Sequence, residues 1–204
     1  MTNFDKKAAT WDQNPHTIER ASAIAAAMRR RLPLQGRMRG FEYGCGTGAL
    51  SFILSPLLER ITLADTSEGM LEVLKSKISD SSVTNMTPLL LDLTQEEPPA
   101  GMGFDLIYTA MTLHHIADTA RILRVFNSML APGGYLCISD LDEEDGTFHS
   151  GDFDGHHGFD RQKFQSELEE AGFADIGFET CYTIRKERDD VTDEYPVFLM
   201  TCSG

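Results

Sequence analysis

The apolar residues of this chain follow two spacings, one typical of helices and one typical of buried strands. Apolar positions recur every three or four residues over 16–32, which predicts an amphipathic helix. Short apolar runs bounded by turn residues predict strands, and they lie at 38–43, 61–64, 86–91, 104–108 and 135–139. Helical patterns separate most of these runs. Because strands and helices alternate, we expect parallel crossovers and an α/β domain of three layers.

The pattern changes in the last third of the chain. Residues 140–158 are polar and show no apolar periodicity, which predicts a long loop. Asp160 can cap a following helix, and two strands are expected at about 174–183 and 193–202. The connection between these strands is highly charged and favours a hairpin, so we expect the last two strands to be antiparallel. No linker rich in proline, glycine or serine divides the chain, which predicts one domain.

The first predicted strand runs into a turn with three closely spaced glycines, Gly44, Gly46 and Gly48. Glycine adopts positive φ and has no Cβ, so a ligand can lie directly against this main chain. The helix that follows presents unpaired N–H groups, which suit a carboxylate or a phosphate. Glu42 lies in the same turn, and a purely phosphate-binding loop would not need it. A carboxylate beside such amides suits a ligand with both charges, such as the amino-acid end of S-adenosylmethionine.

Carboxylates also end the next two predicted strands. Asp65 lies about twenty residues past the glycines, where a carboxylate can accept both ribose hydroxyls of an adenosine. Asp92 follows the apolar run at 86–91 and is placed to meet the exocyclic amine of adenine. Met70, one turn into its helix, can cover one face of the base. Ligands of open α/β sheets bind at the carboxyl ends of the strands, so these residues together predict a nucleoside site.

These motifs resemble those of the class I S-adenosylmethionine-dependent methyltransferases, of the small single-domain kind similar to the methyltransferase type 11 and type 12 families. The resemblance extends over nearly the whole chain and rests on the segments 42–48, 65–70, 91–93, 113–116 and 130–134, with 4–12. It implies a three-layer, Rossmann-like fold with a seven-stranded mixed sheet of order 3-2-1-4-5-7-6, in which strand 7 is antiparallel. It also implies a single domain over 1–204, in which residues 1–35 form a helical cap over the cofactor pocket.

The resemblance further implies S-adenosylmethionine as the cofactor and a role for each matching residue. The turn glycines would lie against the methionine part, and Asp65 would bind the ribose. Met70 and Asp92 would border the adenine, while Thr109 and Ala110 would contact the methionine part and face the substrate. The complete set expected to bind the cofactor is Glu42, Gly44, Cys45, Gly46, Asp65, Thr66, Met70, Asp92, Leu93, Thr109, Ala110 and His114.

Two other functions stay open from the residues alone. Gly44, Gly46 and Ala49 also satisfy the Rossmann dinucleotide fingerprint with Asp65 as its ribose ligand, so an NAD(P)-binding oxidoreductase is the first alternative. Glu42 would repel a pyrophosphate, and the predicted hairpin ending matches methyltransferases, so both features count against it. The second alternative is a protein that binds S-adenosylmethionine without catalysing a reaction.

Methyl transfer from a sulfonium mainly needs alignment and a dry pocket, although an acceptor alcohol or protonated amine also needs a base. His114 and His115 follow the fourth predicted strand, and in similar enzymes the first of the two often lies by the cofactor. His156 and His157 lie in the loop after strand five, where similar folds form one wall of the acceptor pocket. We therefore expect His114, His156 and His157 to be the catalytic candidates.

The loop at 140–158 is rich in carboxylates, but its spacing matches neither a zinc pattern nor an EF-hand, and we expect no metal site. If these carboxylates lined the pocket, they would disfavour anionic acceptors and tolerate cationic or neutral ones. The sequence at 108–111 lacks the Asn/Asp-Pro-Pro-Tyr/Phe box of many DNA and amino-group methyltransferases. Together with the acidic surface, this absence favours a small-molecule acceptor.

Composition limits the partners. The 204 residues carry a formal net charge of −14, which would repel nucleic acids and anionic membranes. No apolar stretch is long enough to span a bilayer, and the N-terminus has no signal-peptide core. The four cysteines lack metal-ligand spacing and are interpreted as free cytosolic thiols. We therefore expect a cytoplasmic enzyme with a small-molecule acceptor and with no nucleic acid or membrane partner, while the oligomeric state stays open.

Overall fold

The computed structural model describes residues 3–98, 101, 103–149, 151, 153–188 and 191–204. Its strands are β1 (Arg39–Tyr43), β2 (Arg60–Asp65), β3 (Met86–Leu90), β4 (Phe104–Ala110), β5 (Leu130–Leu141), β6 (Ala174–Arg188) and β7 (Val191–Ser203). They form one sheet in the order β3-β2-β1-β4-β5-β7-β6. β7 is antiparallel to both of its neighbours, whereas the other pairs are parallel. The predicted order and the antiparallel last strand are therefore confirmed, although turn residues 189–190 lie outside the described residues.

Helices cover both faces of this sheet. The α-helices are α1 (Asn3–Lys7), α2 (Pro15–Arg31), α3 (Ala49–Leu54), α4 (Glu68–Ser79), α5 (Thr119–Met129) and α6 (Arg161–Glu170). Short 3-10 helices lie at Ala8–Gln13, Ser55–Leu57 and Leu113–His115. α2 begins one residue before the predicted helix, because Pro15 takes its first position and the Asn14 side chain accepts from the N–H of His16 at 3.0 Å. In the described part of the chain, no helix combines the length and the apolar character that a membrane crossing requires.

The central strand β4 places alternate side chains in two separate cores. Leu106 and Tyr108 pack with residues of α2, α3 and α4, whereas Ile107 packs with residues of α5 and α6. Strands buried on both faces need near-continuous apolar sequences, which explains the uninterrupted runs of the sequence. Because helices cover both faces, the carboxyl ends of the strands are where a ligand can approach the main chain.

The hairpin of β6 and β7 is longer than the sequence pattern predicts. The charged residues 185–188 continue β6 and pair with residues 191–194 of β7. Apolar contacts support this extension, because Ile184 and Tyr195 form a small core with Leu141, and Phe148 packs against it. The extension therefore reaches the loop after β5, and it places Arg185 and Lys186 beside the ligand cavity described below.

Candidate cofactor and acceptor site

A cavity of about 1140 Å³ opens at the carboxyl edge of the sheet, where β1, β2 and β4 end side by side. This is more than the ~300–1,000 Å³ typical of one small ligand, so the cavity has room for two reactants. The sequence-predicted residues that line it are Glu42, Gly44, Cys45, Gly46, Asp65, Thr66, Met70, Asp92, Ala110 and His114. Leu93, Thr109, His156 and His157 do not line it.

Gly44 explains why the turn after β1 needs glycine. Its φ is +70°, and a Cβ added there would lie 2.3 Å from the side chain of Thr112. The N–H groups of Gly44 and Cys45 both donate to the carbonyl oxygen of Ala64, at 2.8 and 3.0 Å. These bonds hold the turn against the end of β2, so bare main chain forms part of the cavity wall.

Asp65 ends β2 and binds the turn through its carboxylate. Its Oδ2 accepts from the N–H of Gly46 at 2.7 Å, and its Oδ1 accepts from the N–H of Ser67 at 2.8 Å. Burial raises the pKa of this carboxyl, while the N–H groups of Ser67 and Gly46 act in the opposite direction. A carboxylate has about four acceptor positions, so each oxygen keeps one that is not used by these two bonds. Asp65 can therefore shape the turn and still accept two hydroxyl groups.

Glu42 is a buried carboxyl, with 3% of its surface exposed. Its Oε2 accepts from the hydroxyl of Ser51, which also contacts the hydroxyl of Tyr108. Burial raises the pKa of Glu42 to about 8, although the bond from Ser51 lowers it. Glu42 is therefore mostly protonated at neutral pH, and a cationic group bound beside it would favour its ionised form.

The end of β3 supplies the far side of the cavity. Asp92 Oδ1 accepts from the N–H and the hydroxyl of Thr94, at 2.9 and 2.6 Å, which leaves Oδ2 as the oxygen for a ligand. Tyr43 also lines this region, and its hydroxyl accepts from the N–H of Leu93 at 3.2 Å. Tyr43 was missed from the sequence, although it stands inside the glycine motif. Leu93 itself is enclosed in the core that faces α5 and α6.

Thr109 is also enclosed, with 2% of its surface exposed, and its hydroxyl oxygen has no hydrogen-bond partner among the described residues. Ala110, the last residue of β4, does line the cavity. The two positions differ because successive residues of a strand point to opposite faces. The main chain of β4 thus ends at the cavity while the Thr109 side chain points away from it.

Residues of the N-terminal segment also line the cavity and are bonded to α4. Asp5 Oδ1 accepts from the hydroxyl of Ser67 at 2.6 Å and from the N–H of Gly69 at 3.1 Å, at the start of α4. Asp12 forms an ion pair with Lys77 Nζ at 2.7 Å. Phe4 and Trp11 of the same segment line the cavity, so their rings lie where the predicted cap would contact a cofactor.

Three imidazoles meet in the cavity wall, where the ring of Phe4 lies 5.3 Å from that of His115, centroid to centroid. His114 is 2% exposed, and its Nδ1 lies 2.6 Å from Oδ1 of the buried Asp140 at the end of β5. The ring of His115 lies 4.1 Å from that of His114, centroid to centroid, and the ring of His149 lies at 5.2 Å. Desolvation is the largest cause that lowers the pKa of His115 and of His149, to about 4 in each case. Both rings are therefore neutral at neutral pH.

The sequence favoured His156 and His157 of this loop as acceptor contacts, but the histidine of the loop that lines the cavity is His149. His156 Nε2 lies 2.9 Å from the carbonyl oxygen of Ile116, and its ring packs near Phe159. His157 Nδ1 lies 3.3 Å from Oε1 of Glu144, and His157 does not line the cavity. A loop without periodicity gives no signal of which side chains point inward, so the sequence could only name the loop.

Cationic side chains line the cavity, in contrast to the acidic composition of the chain as a whole. They are Lys7, Arg20, Arg185 and Lys186. None of the described carboxylates of the loop at 140–158 lines the cavity, and Asp152 lies outside the described residues. Asp142, for example, is bonded to Arg161 at 2.6 Å instead. The sequence predicts that the loop disfavours anionic acceptors only if its carboxylates line the pocket, and the described carboxylates do not line it.

Comparison with known proteins supports the nucleoside half of this site. Residues 41–136 match the model of a family described as a methyltransferase domain. The chain is 30% identical over 159 residues to a ubiquinone biosynthesis O-methyltransferase of Xanthomonas campestris pv. campestris, with 72% of this chain and 64% of that protein covered. It is 25% identical over 133 residues to 27-O-demethylrifamycin SV methyltransferase of Amycolatopsis mediterranei, covering 64% and 49%. The chain thus spans less than two thirds of the length of these relatives.

Solved structures share the fold at low sequence identity. The N-methyltransferase NodS of Bradyrhizobium japonicum, solved with S-adenosylhomocysteine, has a TM-score of 0.69 at 19% identity, with 94% of this chain and 89% of that chain covered. A SAM-dependent methyltransferase of Aquifex aeolicus has a TM-score of 0.65 at 17% identity, with 93% and 98% covered. The matched family segment includes the glycine turn, Asp65, Asp92 and His114, all of which line the cavity.

Proposed function

We propose that this chain is a class I methyltransferase that transfers a methyl group from S-adenosylmethionine to a small-molecule acceptor. The match of residues 41–136 to a methyltransferase domain and the strand order of the sheet support this function. The observation that supports it best is one continuous cavity that joins the glycine turn to the imidazoles of His114, His115 and His149. Such a cavity brings a donor at the strand ends into contact with an acceptor beside the loop.

The donor would occupy the half of the cavity next to β1, β2 and β3. The unused acceptor positions of Asp65 suit the two ribose hydroxyls, and Asp92 Oδ2 suits the adenine amine. The methionine part would lie against the main chain of Gly44 and Gly46, with its ammonium group towards Glu42. This orientation would point the sulfonium methyl group towards the end of β4 and His114.

The acceptor would occupy the other half. Its nucleophilic atom attacks the methyl carbon as the carbon–sulfur bond breaks, which leaves S-adenosylhomocysteine and a methylated acceptor. His114 is held by Asp140, so its Nε2 is the ring nitrogen available to take the proton that an acceptor hydroxyl or thiol loses as it is methylated. The aromatic rings of Phe148 and Phe153 and the cationic side chain of Arg20 favour a planar acceptor that is neutral or anionic.

Arg20 lines the cavity, and its positive charge favours an anionic acceptor over a cationic one. Arg20 is half-buried on α2, and it has no hydrogen bond or ion pair among the described residues that the structure records. A carboxylate on the acceptor would supply that partner. We therefore expect hydroxybenzoate-like acceptors to be methylated in preference to matched aminomethyl phenols.

The function is tested in two steps. Calorimetry should detect binding of S-adenosylhomocysteine and not of NAD, and binding of NAD alone would favour the oxidoreductase alternative. Labelled S-adenosylmethionine should then transfer its methyl group to members of a panel of phenols, thiols and amines of matched size. Donor binding without transfer to any acceptor would favour the non-catalytic alternative. Arg20→Met should reduce the preference for carboxylate-bearing acceptors, while leaving donor affinity unchanged.

A further inference from the structure

We propose that His114, His115 and His149 form a binding site for a divalent transition metal ion of the Zn²⁺ type. One nitrogen from each ring can be chosen so that all three lie within 4.8 Å of one another. Imidazole nitrogens bind Zn²⁺ at 2.0–2.1 Å, so in a tetrahedral site they stand about 3.3 Å apart. Side-chain rotations that shorten these separations by about 1.5 Å at most would complete the set.

His114 is already oriented as a metal ligand is. Asp140 Oδ1 lies 2.6 Å from its Nδ1, and the backbone N–H of His114 donates to Oδ2 of the same carboxylate at 3.2 Å. A histidine that binds a metal almost always donates its other ring N–H to a carboxylate or carbonyl, which determines the tautomer and the ring orientation. Asp140 supplies this contact from a position with no exposed surface, so Nε2 of His114 is directed to a ligand.

His149 provides an independent indication of a missing ligand. Its Nε2 is buried and has no hydrogen-bond partner among the described residues. Its ring is stacked on Phe153 at a centroid distance of 3.7 Å, which restricts the directions that this nitrogen can take. A buried polar atom of a folded protein nearly always has a partner, and a metal ion shared with His114 would supply one.

The ligand set selects the class of cation. Three imidazoles suit Zn²⁺, Co²⁺, Ni²⁺ or Cu²⁺, whereas Mg²⁺ and Ca²⁺ require oxygen ligands. Three protein ligands leave one position of a tetrahedral ion open, as in catalytic zinc sites. All three histidines line the acceptor half of the cavity, so this open position would face the acceptor and could bind its oxygen or sulfur atom. The ion would then take the place of the direct contact between His114 and the acceptor.

The experiment titrates Zn²⁺ and Co²⁺ into the metal-free, full-length protein. We expect one tightly bound ion by calorimetry and, for Co²⁺, the intense visible absorption of a four-coordinate site. His149→Ala should weaken Zn²⁺ binding at least ~10-fold, whereas His157→Ala, from the same loop but outside the cavity, should leave it unchanged. Mg²⁺ should not bind. S-adenosylhomocysteine affinity should survive His149→Ala, which shows that the variant is folded.

Three results would overturn the site. One is the absence of stoichiometric Zn²⁺ binding by a protein that still binds S-adenosylhomocysteine. Another is an equal loss of Zn²⁺ affinity in His149→Ala and His157→Ala. The third is Zn²⁺ binding that disappears in Cys181→Ser, the cysteine that is only partly buried, and persists in His149→Ala. Because Zn²⁺ binding is measured without a methyl donor, its failure is separate from failure of the proposed methyl transfer.

Discussion

Asp65→Asn is the substitution that tests the nucleoside site most directly. The carboxylate holds the glycine turn through Gly46 and the start of α4 through Ser67, at 2.7 and 2.8 Å. Asparagine keeps the shape of the side chain but replaces one acceptor oxygen by an NH₂ donor. The variant should therefore weaken donor binding and destabilise the turn to a smaller extent, and the two effects can be measured separately.

The magnitude follows from the bonds that are lost. A hydrogen bond to a charged acceptor contributes ~1.5–3 kcal/mol, and the amide can no longer accept from one of the two ribose hydroxyls. Since each 1.4 kcal/mol is tenfold in affinity, S-adenosylhomocysteine should bind roughly 10- to 100-fold more weakly. In the free protein, one N–H of Gly46 or Ser67 loses its acceptor at a cost of ~1–3 kcal/mol. For a chain of this size, each kcal/mol lowers Tm by about 2–4 °C.

The measurement is calorimetry with S-adenosylhomocysteine, together with thermal unfolding of the free protein. Asp105→Asn is a matched control, because Asp105 also accepts from a backbone N–H, that of Arg39 at 2.7 Å, but at the opposite edge of the sheet. We expect it to lower Tm similarly without changing donor affinity. If Asp65→Asn kept affinity within about threefold of the parent protein, the assignment of the ribose to Asp65 would be refuted.

Four further predictions concern the same half of the site. Binding of S-adenosylhomocysteine at pH 7 should release protons, because the ammonium group of the ligand favours ionised Glu42, whose pKa is about 8 in the free protein. The release is measured as a dependence of the calorimetric heat on the buffer. This pKa is raised above the unfolded value of about 4.5, so protonated Glu42 stabilises the fold below pH 4.5, and that contribution is lost as the pH rises through 8. Glu42→Gln should therefore flatten the fall of Tm between pH 5 and 8. The same variant should show no proton release on binding. Gly44→Ala should destabilise the fold by ~2–4 kcal/mol in denaturant unfolding, because its φ of +70° and a Cβ position 2.3 Å from Thr112 both oppose a side chain. Asp12→Asn should speed proteolytic cleavage of the N-terminal segment, since it weakens the 2.7 Å ion pair with Lys77, and saturating S-adenosylhomocysteine should slow that cleavage again.

The sheet could be predicted from the sequence because its elements are local. Each buried strand is a short apolar run, and each connecting helix repeats apolar residues every three or four positions. The length of the β6–β7 hairpin could not be read in this way. Its outer part consists of charged residues, and it is ordered by contacts of Ile184 and Tyr195 with Leu141, which is distant in sequence.

The placement of the strand-end residues in one cavity wall could be predicted for the same reason. Glu42 and Asp65 lie within the last two residues of β1 and β2, and Gly44 and Asp92 follow β1 and β3 within two residues. The positions of the strands therefore determine where these residues meet. Thr109 differs because its side chain follows the alternation of β4 and points away from the cavity. Its predicted contact with the cofactor would therefore involve the main chain.

The acceptor half could not be predicted, because it is assembled from segments with no common local pattern. His114 follows β4, Arg20 lies on α2, His149 lies in the loop after β5, and Lys186 lies on the extended hairpin. Only tertiary packing brings them together. The sequence indicated a histidine in the loop as an acceptor contact, but the choice among His149, His156 and His157 depends on which backbone bonds order that loop.

The formal charge of −14, taken alone, would predict that the acceptor half of the cavity repels anions. Charged groups act mainly within a Debye length of ~8–10 Å, so the side chains at the cavity mouth outweigh carboxylates on the far surface. The side chains that line the cavity near the acceptor are cations and imidazoles, namely Lys7, Arg20, Arg185, Lys186 and three histidines, two of which have a pKa lowered to about 4. The buried carboxyl of Asp140 stands behind His114 and does not line the cavity. At the donor end the side chains are the carboxyl groups of Glu42, Asp65 and Asp92, and a cationic ligand would favour their ionised forms. A cationic sulfonium donor and a neutral or anionic acceptor would therefore each be drawn to its own end of one cavity, which brings the methyl group between them.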